Sequence, residues 1–375
     1  MSRSPFHTRL AALTRKETRQ MLRDRSNLMV GLLLPIALIL LFGYGLSFDV
    51  RNAPVALVMD DNSAIAREAV SGIGGSEYLV PVHAATMIEA EEMLRAGRVE
   101  AIVRVPVDFT RRVAAGDARV QLILNGLDST TATTMESYVG GAISSAMQRR
   151  MDRSPEMRGG GRVELSQRTW FNEAGYSTWY LVPGLIALIM TLVGAFLTSL
   201  LIAREWERGT LEALFVTPVR PLELVLAKLV PYMIVGIIDL VMCLLAARYL
   251  FEVPIRGSLL AIVVASLLYL AVSLLLGLFI SGVTRNQFAA SQLALLLSFM
   301  PALMLSGFVF DLRNVPVVVR VVAQALPATH FMGMIKSLFL AGTDWIMVLR
   351  NCGILGAYGV ILLFATRRTL RKRLD

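Results

Sequence analysis

The sequence predicts an α-helical polytopic membrane protein of about six transmembrane helices, with an α/β domain inserted after the first. Three observations carry that reading. Hydrophobic residues fill 55% of the 375 positions and charged residues only 17%, against about 25% charged in an ordinary soluble domain. Mean hydropathy is +0.61. Apolar runs, each near the roughly 20 residues needed to cross a bilayer, bracket one long segment of soluble composition.

Residues 1–27 form a basic tail with Arg3, Arg9, Arg15, Lys16, Arg19, Arg23 and Arg25. Phe6, Leu10 and Leu13 recur at helical spacing, with Met21 further along. Two readings stand side by side: an amphipathic helix on the inner membrane face, or a tail that only sets topology. Residues 28–48, Leu28–Phe48, hold no charge and give the first span. The tail is long for a signal peptide and no small-x-small cleavage site closes the run, so the span is an uncleaved anchor.

Residues 49–173 read as the α/β domain. Strands are expected at Val55–Met59, Ala101–Val105 and Val120–Leu124, and helices at Ala64–Ser71, Met87–Arg95 and Thr131–Arg150. Ser154–Arg162, with Pro155 and three consecutive glycines, reads as a flexible linker. Residues 174–366 carry five further spans, at about Trp179–Ala203, Val230–Phe251, Ser258–Val283, Phe288–Phe310 and Trp345–Thr366. A basic tail, residues 367–375, closes the chain with Arg367, Arg368, Arg371, Lys372 and Arg373.

Charge fixes the expected orientation. Arg204, Arg208, Arg220 and Lys228 fall in one connection, Arg285 in another and five basic residues in the last tail. With the N-terminus inside, all of them are cytoplasmic, as is the C-terminus, and residues 49–173 lie outside. Trp170, Trp179, Trp206 and Trp345 stand near span ends, where indole favours the headgroup layer. The net charge of +9 is therefore topological, and nucleic acid is not an expected partner. Cys243 and Cys352 lie in apolar runs, and His7, His83 and His330 are far apart, so no metal site is expected.

No catalytic residue is expected either. The four lysines are Lys16, Lys228, Lys336 and Lys372, none preceded by a phosphate-cradling glycine loop. The chain is therefore not an ATPase of that type. Its most informative segment follows the second span, residues 204–220. Leu211, Leu214 and Phe215 share a helical face, Gly209 permits a sharp bend, and Thr217-Pro218 ends the helix. A short helix of this kind suits docking into a groove on another protein, and equally an ordinary amphipathic connector.

The string REWERGTLEALFVTPVRPLELVLAK resembles the corresponding loop of ABC type-2 permeases, the membrane subunits of ATP-driven exporters. Agreement extends to the basic tail, to Leu181-Val182-Pro183-Gly184 at the start of span two, and to Leu326-Pro327-Ala328-Thr329-His330-Phe331. The large loop after the first span is similar to the drug-efflux branch. The resemblance implies that Glu205, Arg208, Gly209, Thr210, Leu211 and Glu212 couple the spans to a separate ABC ATPase subunit. ATP and magnesium would bind that partner, and no cofactor this chain. It further implies a second permease copy, identical or paralogous, a bacterial inner-membrane location among membrane lipids, and a periplasmic loop domain that could meet an adaptor protein. The cargo would be a hydrophobic or amphipathic molecule leaving the cytoplasm or inner leaflet.

The family also places two half-helices that dip in from the outer face at residues 313–340, which matches Val315–Ala325 and His330–Leu340. Pro316 and Pro327 suit their starts, and Lys336 would snorkel to the outer interface. Asp239 sits mid-run in the third span, where a charge costs about 2.5–3.5 kcal/mol. It is a candidate for the transport pathway or for a hydrogen bond between helices. A membrane sensor reading ligands through residues 49–173 is the alternative; such a protein needs an output domain, and about ten residues follow the last span.

Overall fold

The computed structural model describes residues 6–45, 52–125, 129–153, 176–211, 219–309, 312 and 315–370. The expected linker Ser154–Arg162, Trp170, Arg3, Arg371, Lys372, Arg373 and residues 212–218 with Glu212 lie outside the described residues. The chain divides into two units, Met1–Leu46 with Thr169–Asp375, and Ser47–Arg168.

Helix α1 is Phe6–Arg23 and α2 is Arg25–Gly45. Asp24 separates them and caps α2: its Oδ1 accepts from the Asn27 amide at 3.3 Å.

In the second unit, β1 (Ala53–Met59) leads to α3 (Ala64–Gly74), β2 (Leu79–Ala84), α4 (Met87–Arg95) and β3 (Ala101–Val105). Then come α5 (Phe109–Ala115), β4 (Gln121–Leu124) and α6 (Ser129–Arg153). The sheet order is β2-β1-β3-β4, with β4 antiparallel to β3 and the other pairs parallel. Strand β1 is buried on both faces, as parallel strands are. Its Val55 and Leu57 pack with Ile73, Phe109 and Met135, while Ala56 and Val58 pack with Ala90 and Ile102. The sequence analysis missed β2 and α5. Pro81 and His83 break the apolar signal of β2, and α5 spans only seven residues.

The helical unit resumes with α7 (Ser177–Glu207), α8 (Pro221–Leu250), α9 (Leu259–Thr284) and α10 (Gln287–Leu305). After α11 (Val317–Gln324) and α12 (Pro327–Leu340) the chain ends in α13 (Trp345–Thr369). Among the described residues six helices, α2, α7, α8, α9, α10 and α13, are long and apolar enough to span a membrane. Helix α7 is the central one, with 89% of its most apolar window buried.

Small residues let α7 and α9 approach closely, as in membrane helix pairs generally. A Cβ on Gly194 would stand 2.7 Å from the Ser273 Cβ, and one on Gly277 would stand 2.2 Å from the Ala195 carbonyl oxygen. Polar contacts follow the same seam. The Thr198 hydroxyl reaches the Leu274 carbonyl at 2.9 Å, and Ser281 Oγ accepts from the amides of Ile202 and Ala203. Residues Leu192–Phe196 form a π-helical turn inside this contact, a register insertion often found at close packing or functional positions. At the other end of α7, a Cβ on Gly184 would collide with the Phe308 ring at 2.4 Å, which gives the Leu181–Gly184 segment its small residue.

Helices α11 and α12 meet at an 85° bend. Pro316 is the cap of α11 and Pro327 opens α12, as the sequence suggests. The sequence leaves the partners of Lys336 open. Its Nζ donates to the Gly307 carbonyl at 2.8 Å and lies 3.5 Å from the Tyr180 ring centroid. A carbonyl and an aromatic face hold the ammonium.

Replacing Gly277 by alanine should lower the melting temperature of the detergent-purified protein markedly, since overpacking costs about 1–3 kcal/mol or more. Gly353→Ala, at a position where nothing lies within 4 Å, should leave it nearly unchanged. Equal effects would remove the seam as the cause.

Candidate functional site

The loop singled out by sequence leaves α7 through a set of ion pairs at the end of the helical unit. Glu205, in the last turn of α7, is 3% exposed. Its Oε1 accepts from Lys16 Nζ of α1 at 2.8 Å, and its Oε2 faces Lys228 Nζ of α8 at 2.8 Å. Glu17 closes the arrangement: Oε1 meets Lys16 at 2.9 Å and Oε2 meets Lys228 at 3.2 Å. Two lysines and two glutamates therefore alternate around one point, drawn from three helices. Lys228, Glu17 and Glu205 are buried and only Lys16 reaches solvent.

Two further pairs fasten the same helices. Arg9 of α1 donates through Nε at 3.1 Å and Nη2 at 2.7 Å to Glu223 Oε1. Glu223 Oε2 accepts from the Arg220 amide at 2.9 Å, capping α8. Arg204 of α7 pairs with Asp24 and donates through Nε to Gln287 Oε1 at 3.1 Å. Helix α1 is thus docked on α8, with Leu13 and Met21 buried beside Glu17. The helix expected at the spacing of Phe6, Leu10 and Leu13 is present, and its buried side packs against the spans.

Burial opposes the charge on Lys16, yet Glu205 and Glu17 outweigh it and raise its pKa above the ordinary lysine value. Burial likewise works against Asp24, and Arg204 together with the Asn27 amide brings it below the usual carboxylate range. The Lys16 contribution is present below the ordinary lysine value and fades as pH rises through the raised one. The Asp24 contribution is present above the ordinary carboxylate value and fades as pH falls through the depressed one. Both persist across neutral pH.

Beyond Glu205 the helix stops. Gly209 takes φ +67°, a left-handed geometry that glycine adopts without strain, and its amide donates to Trp206 O at 3.0 Å. The Thr210 hydroxyl donates to Glu205 O at 3.2 Å. Leu211 turns inward and is 1% exposed, whereas Arg208 is exposed: its amide donates to Arg204 O at 3.1 Å and its side chain makes no hydrogen bond among the described residues. Arg285 stacks over Trp206 at 4.1 Å, and Glu207 accepts from the Gln287 amide at 2.8 Å. Glu205, Arg208, Gly209, Thr210 and Leu211 are contiguous here; Glu212 lies outside the described residues.

Asp239 stands apart, 11 residues beyond Lys228 on α8, or about 16 Å along the helix. It is 1% exposed, and neither carboxylate oxygen has a hydrogen-bond partner among the described residues. The hydrogen bond between helices considered from sequence is not made. Sequence reasoning missed Arg9, Glu17, Glu223 and Lys228 as site residues. A signal existed: Glu17 and Asp24 are the two acids in an otherwise basic tail, and each finds a cation on a span.

The chain matches the description "ABC-2 family transporter protein" over residues 25–367. It is 37% identical over 370 residues to the probable multidrug ABC transporter permease YbhS of Escherichia coli, covering 98% of each chain. The probable multidrug ABC transporter permease YbhR of Escherichia coli is 29% identical over 341 residues, 89% of this chain and 90% of its own. The inner membrane transport permease YhhJ of Escherichia coli is 28% identical over 335 residues, 85% of this chain and 86% of its own.

Lys228→Met should destabilise the purified protein by about 3–5 kcal/mol, because two buried carboxylates then share one partly exposed lysine. Adding Glu17→Gln should recover part of that loss, so that the double variant is more stable than the sum of the single effects. Additive losses in thermal unfolding would mean that the four charges do not act together.

Proposed function

The chain belongs to the ABC-2 family of transporter proteins, and from that premise we propose that it is the permease half of an ATP-driven exporter. Its spans move the cargo, and a separate ABC ATPase subunit binds ATP and magnesium and hydrolyses the nucleotide. Glu205, Arg208, Gly209, Thr210, Leu211 and Glu212 form the contact through which closure of that ATPase reaches the spans.

One observation carries this reading. Glu205 is held by Lys16 on one side and Lys228 on the other, so a push on the loop after α7 is delivered to α1 and α8 together. A loop on a floating connector would absorb such a displacement. The left-handed Gly209 supports the same role by fixing where the chain leaves the helix.

In this reading both termini are cytoplasmic in a bacterial inner membrane, since the basic connections then all face inward. The α/β unit faces the periplasm, where an adaptor protein could be met. A second copy, identical or paralogous, completes the pathway, and the exposed apolar residues of α10, such as Leu296 and Leu297, suit a partner helix or lipid. The cargo is hydrophobic or amphipathic and leaves the cytoplasm or inner leaflet. Asp239, buried and without a hydrogen-bond partner among the described residues, is the polar position along α8 at which a route could be tuned.

The test is to purify the chain with the ABC ATPase encoded beside it and measure whether the two co-elute. Gly209→Val should leave the complex assembled and hydrolysing ATP while transport of a fluorescent amphipath into inverted vesicles falls at least about tenfold. The β-branched residue cannot hold the left-handed turn without strain. Absence of any ATPase complex, or full transport by the variant, would refute the assignment.

A further inference from the structure

Three span ends converge around a cavity of about 830 Å³. Asn27 lines it from the start of α2, Arg204 and Arg208 from the end of α7, and Gln287 from the start of α10. Helix α1 closes the side with Lys16, Arg19 and Arg23, and Asp24 is the single acid of the lining.

The charges do not cancel. Lys16 is committed to Glu17 and Glu205, and Asp24 is committed to Arg204. Arg19, Arg23 and Arg208 form no salt bridge among the described residues, and Arg208 acts on Asp24 and Glu207 only from a distance. The Asn27 side-chain amide nitrogen is buried and has no acceptor among the described residues. Three guanidinium-bearing side chains thus line one space without a salt-bridged carboxylate among the described residues.

We propose that this cavity binds the phosphate of an anionic phospholipid headgroup. Guanidinium forks match phosphate oxygens bidentately, and Arg is favoured where such recognition is needed. Depth argues for a lipid: the cavity lies where apolar helices begin and end, which is the headgroup level of a bilayer. Apolar surface begins one turn further on, since Val30, at i+3 from Asn27 and so on the same side of α2, is 38% exposed. A phosphate joined to hydrocarbon satisfies both the basic cavity and the apolar helix beside it; a free anion satisfies only the first. The proposal rests on the membrane reading of the spans and does not depend on transport.

The test uses the full chain in nanodiscs containing phosphatidylcholine with one part in four of phosphatidylglycerol. Lipids retained after transfer to mild detergent are counted by native mass spectrometry. The wild-type chain should retain phosphatidylglycerol over phosphatidylcholine. Arg19→Gln with Arg23→Gln should cut that preference by about fivefold for each arginine removed, the effect expected of one basic residue near an anionic surface. Both residues are exposed, so melting temperature and elution volume should not move. Arg15→Gln removes the same charge from the same helix but does not line this cavity, and its preference should match the wild type.

Glycerol 3-phosphate at millimolar concentration should fail to displace the bound lipid. Displacement by it as readily as by phosphatidylglycerol would make the ligand a free phosphate compound and overturn the lipid assignment. Equal retention of both lipids by the wild type, or a preference that survives in the double variant, would also overturn it. So would release of phosphatidylglycerol by the ATPase subunit coupled with weaker ATPase binding in the double variant, which would make the cavity a protein-docking surface.

Discussion

The opposition of Glu205 and Lys228, completed by Glu17 and Lys16, is the constraint on which this end of the molecule depends. Charges removed from water carry a large desolvation penalty, recovered only when partners are close and well placed. Two positive and two negative groups meet that condition together and in no smaller set. Half of them come from α1. The first helix therefore supplies counter-ions to the second and third spans. Arg9 with Glu223 and Arg204 with Asp24 repeat the pairing on either side, so α1 is fastened at two heights along its length and again at its junction with α2.

Asp239 illustrates what the paired groups avoid. It is as buried as Glu205, yet its oxygens meet no donor among the described residues. Matched charges fix geometry; an unmatched one in the same helix does not contribute to it. The same helix α8 thus carries a rigid end, defined by Glu223 and Lys228, and a polar position about three turns further on that packing alone does not explain.

Much of this was legible in the sequence, and the division has a physical basis. Most spans were read within a few residues because a bilayer demands long apolar runs, whereas the third begins at Pro221, nine residues before the expected Val230, because Glu223 and Lys228 interrupt the apolar signal there; α4 and β3 were bounded as observed. The prolines before α11 and α12 announced their helix starts. Long-range pairing was not legible. Glu17 and Lys228 lie 211 positions apart, and no local pattern says that a lysine inside an apolar helix is answered by an acid near the other end of the chain. The seam of Gly194, Thr198, Ser273 and Gly277 repeats at intervals of four, a signal visible in principle but diluted by the many small residues of apolar helices. The partners of Lys336 were illegible for a related reason: Tyr180 is remote in sequence.

The bend between α11 and α12 has a consequence for water. A helix that stops inside an apolar layer leaves carbonyl oxygens bare, each at a cost of several kcal/mol unless a donor is found. Here the side chains supply the donors: Thr329 to Ala323 O at 2.6 Å, Tyr358 to Ala325 O at 2.8 Å, and His330 Nε2, in its protonated tautomer, to Gln324 O at 2.9 Å. The corner brings its own solvation. It can sit at depth without recruiting a hydration shell, so the place where the backbone departs most from a continuous helix is also one where no file of water molecules is required to sustain it.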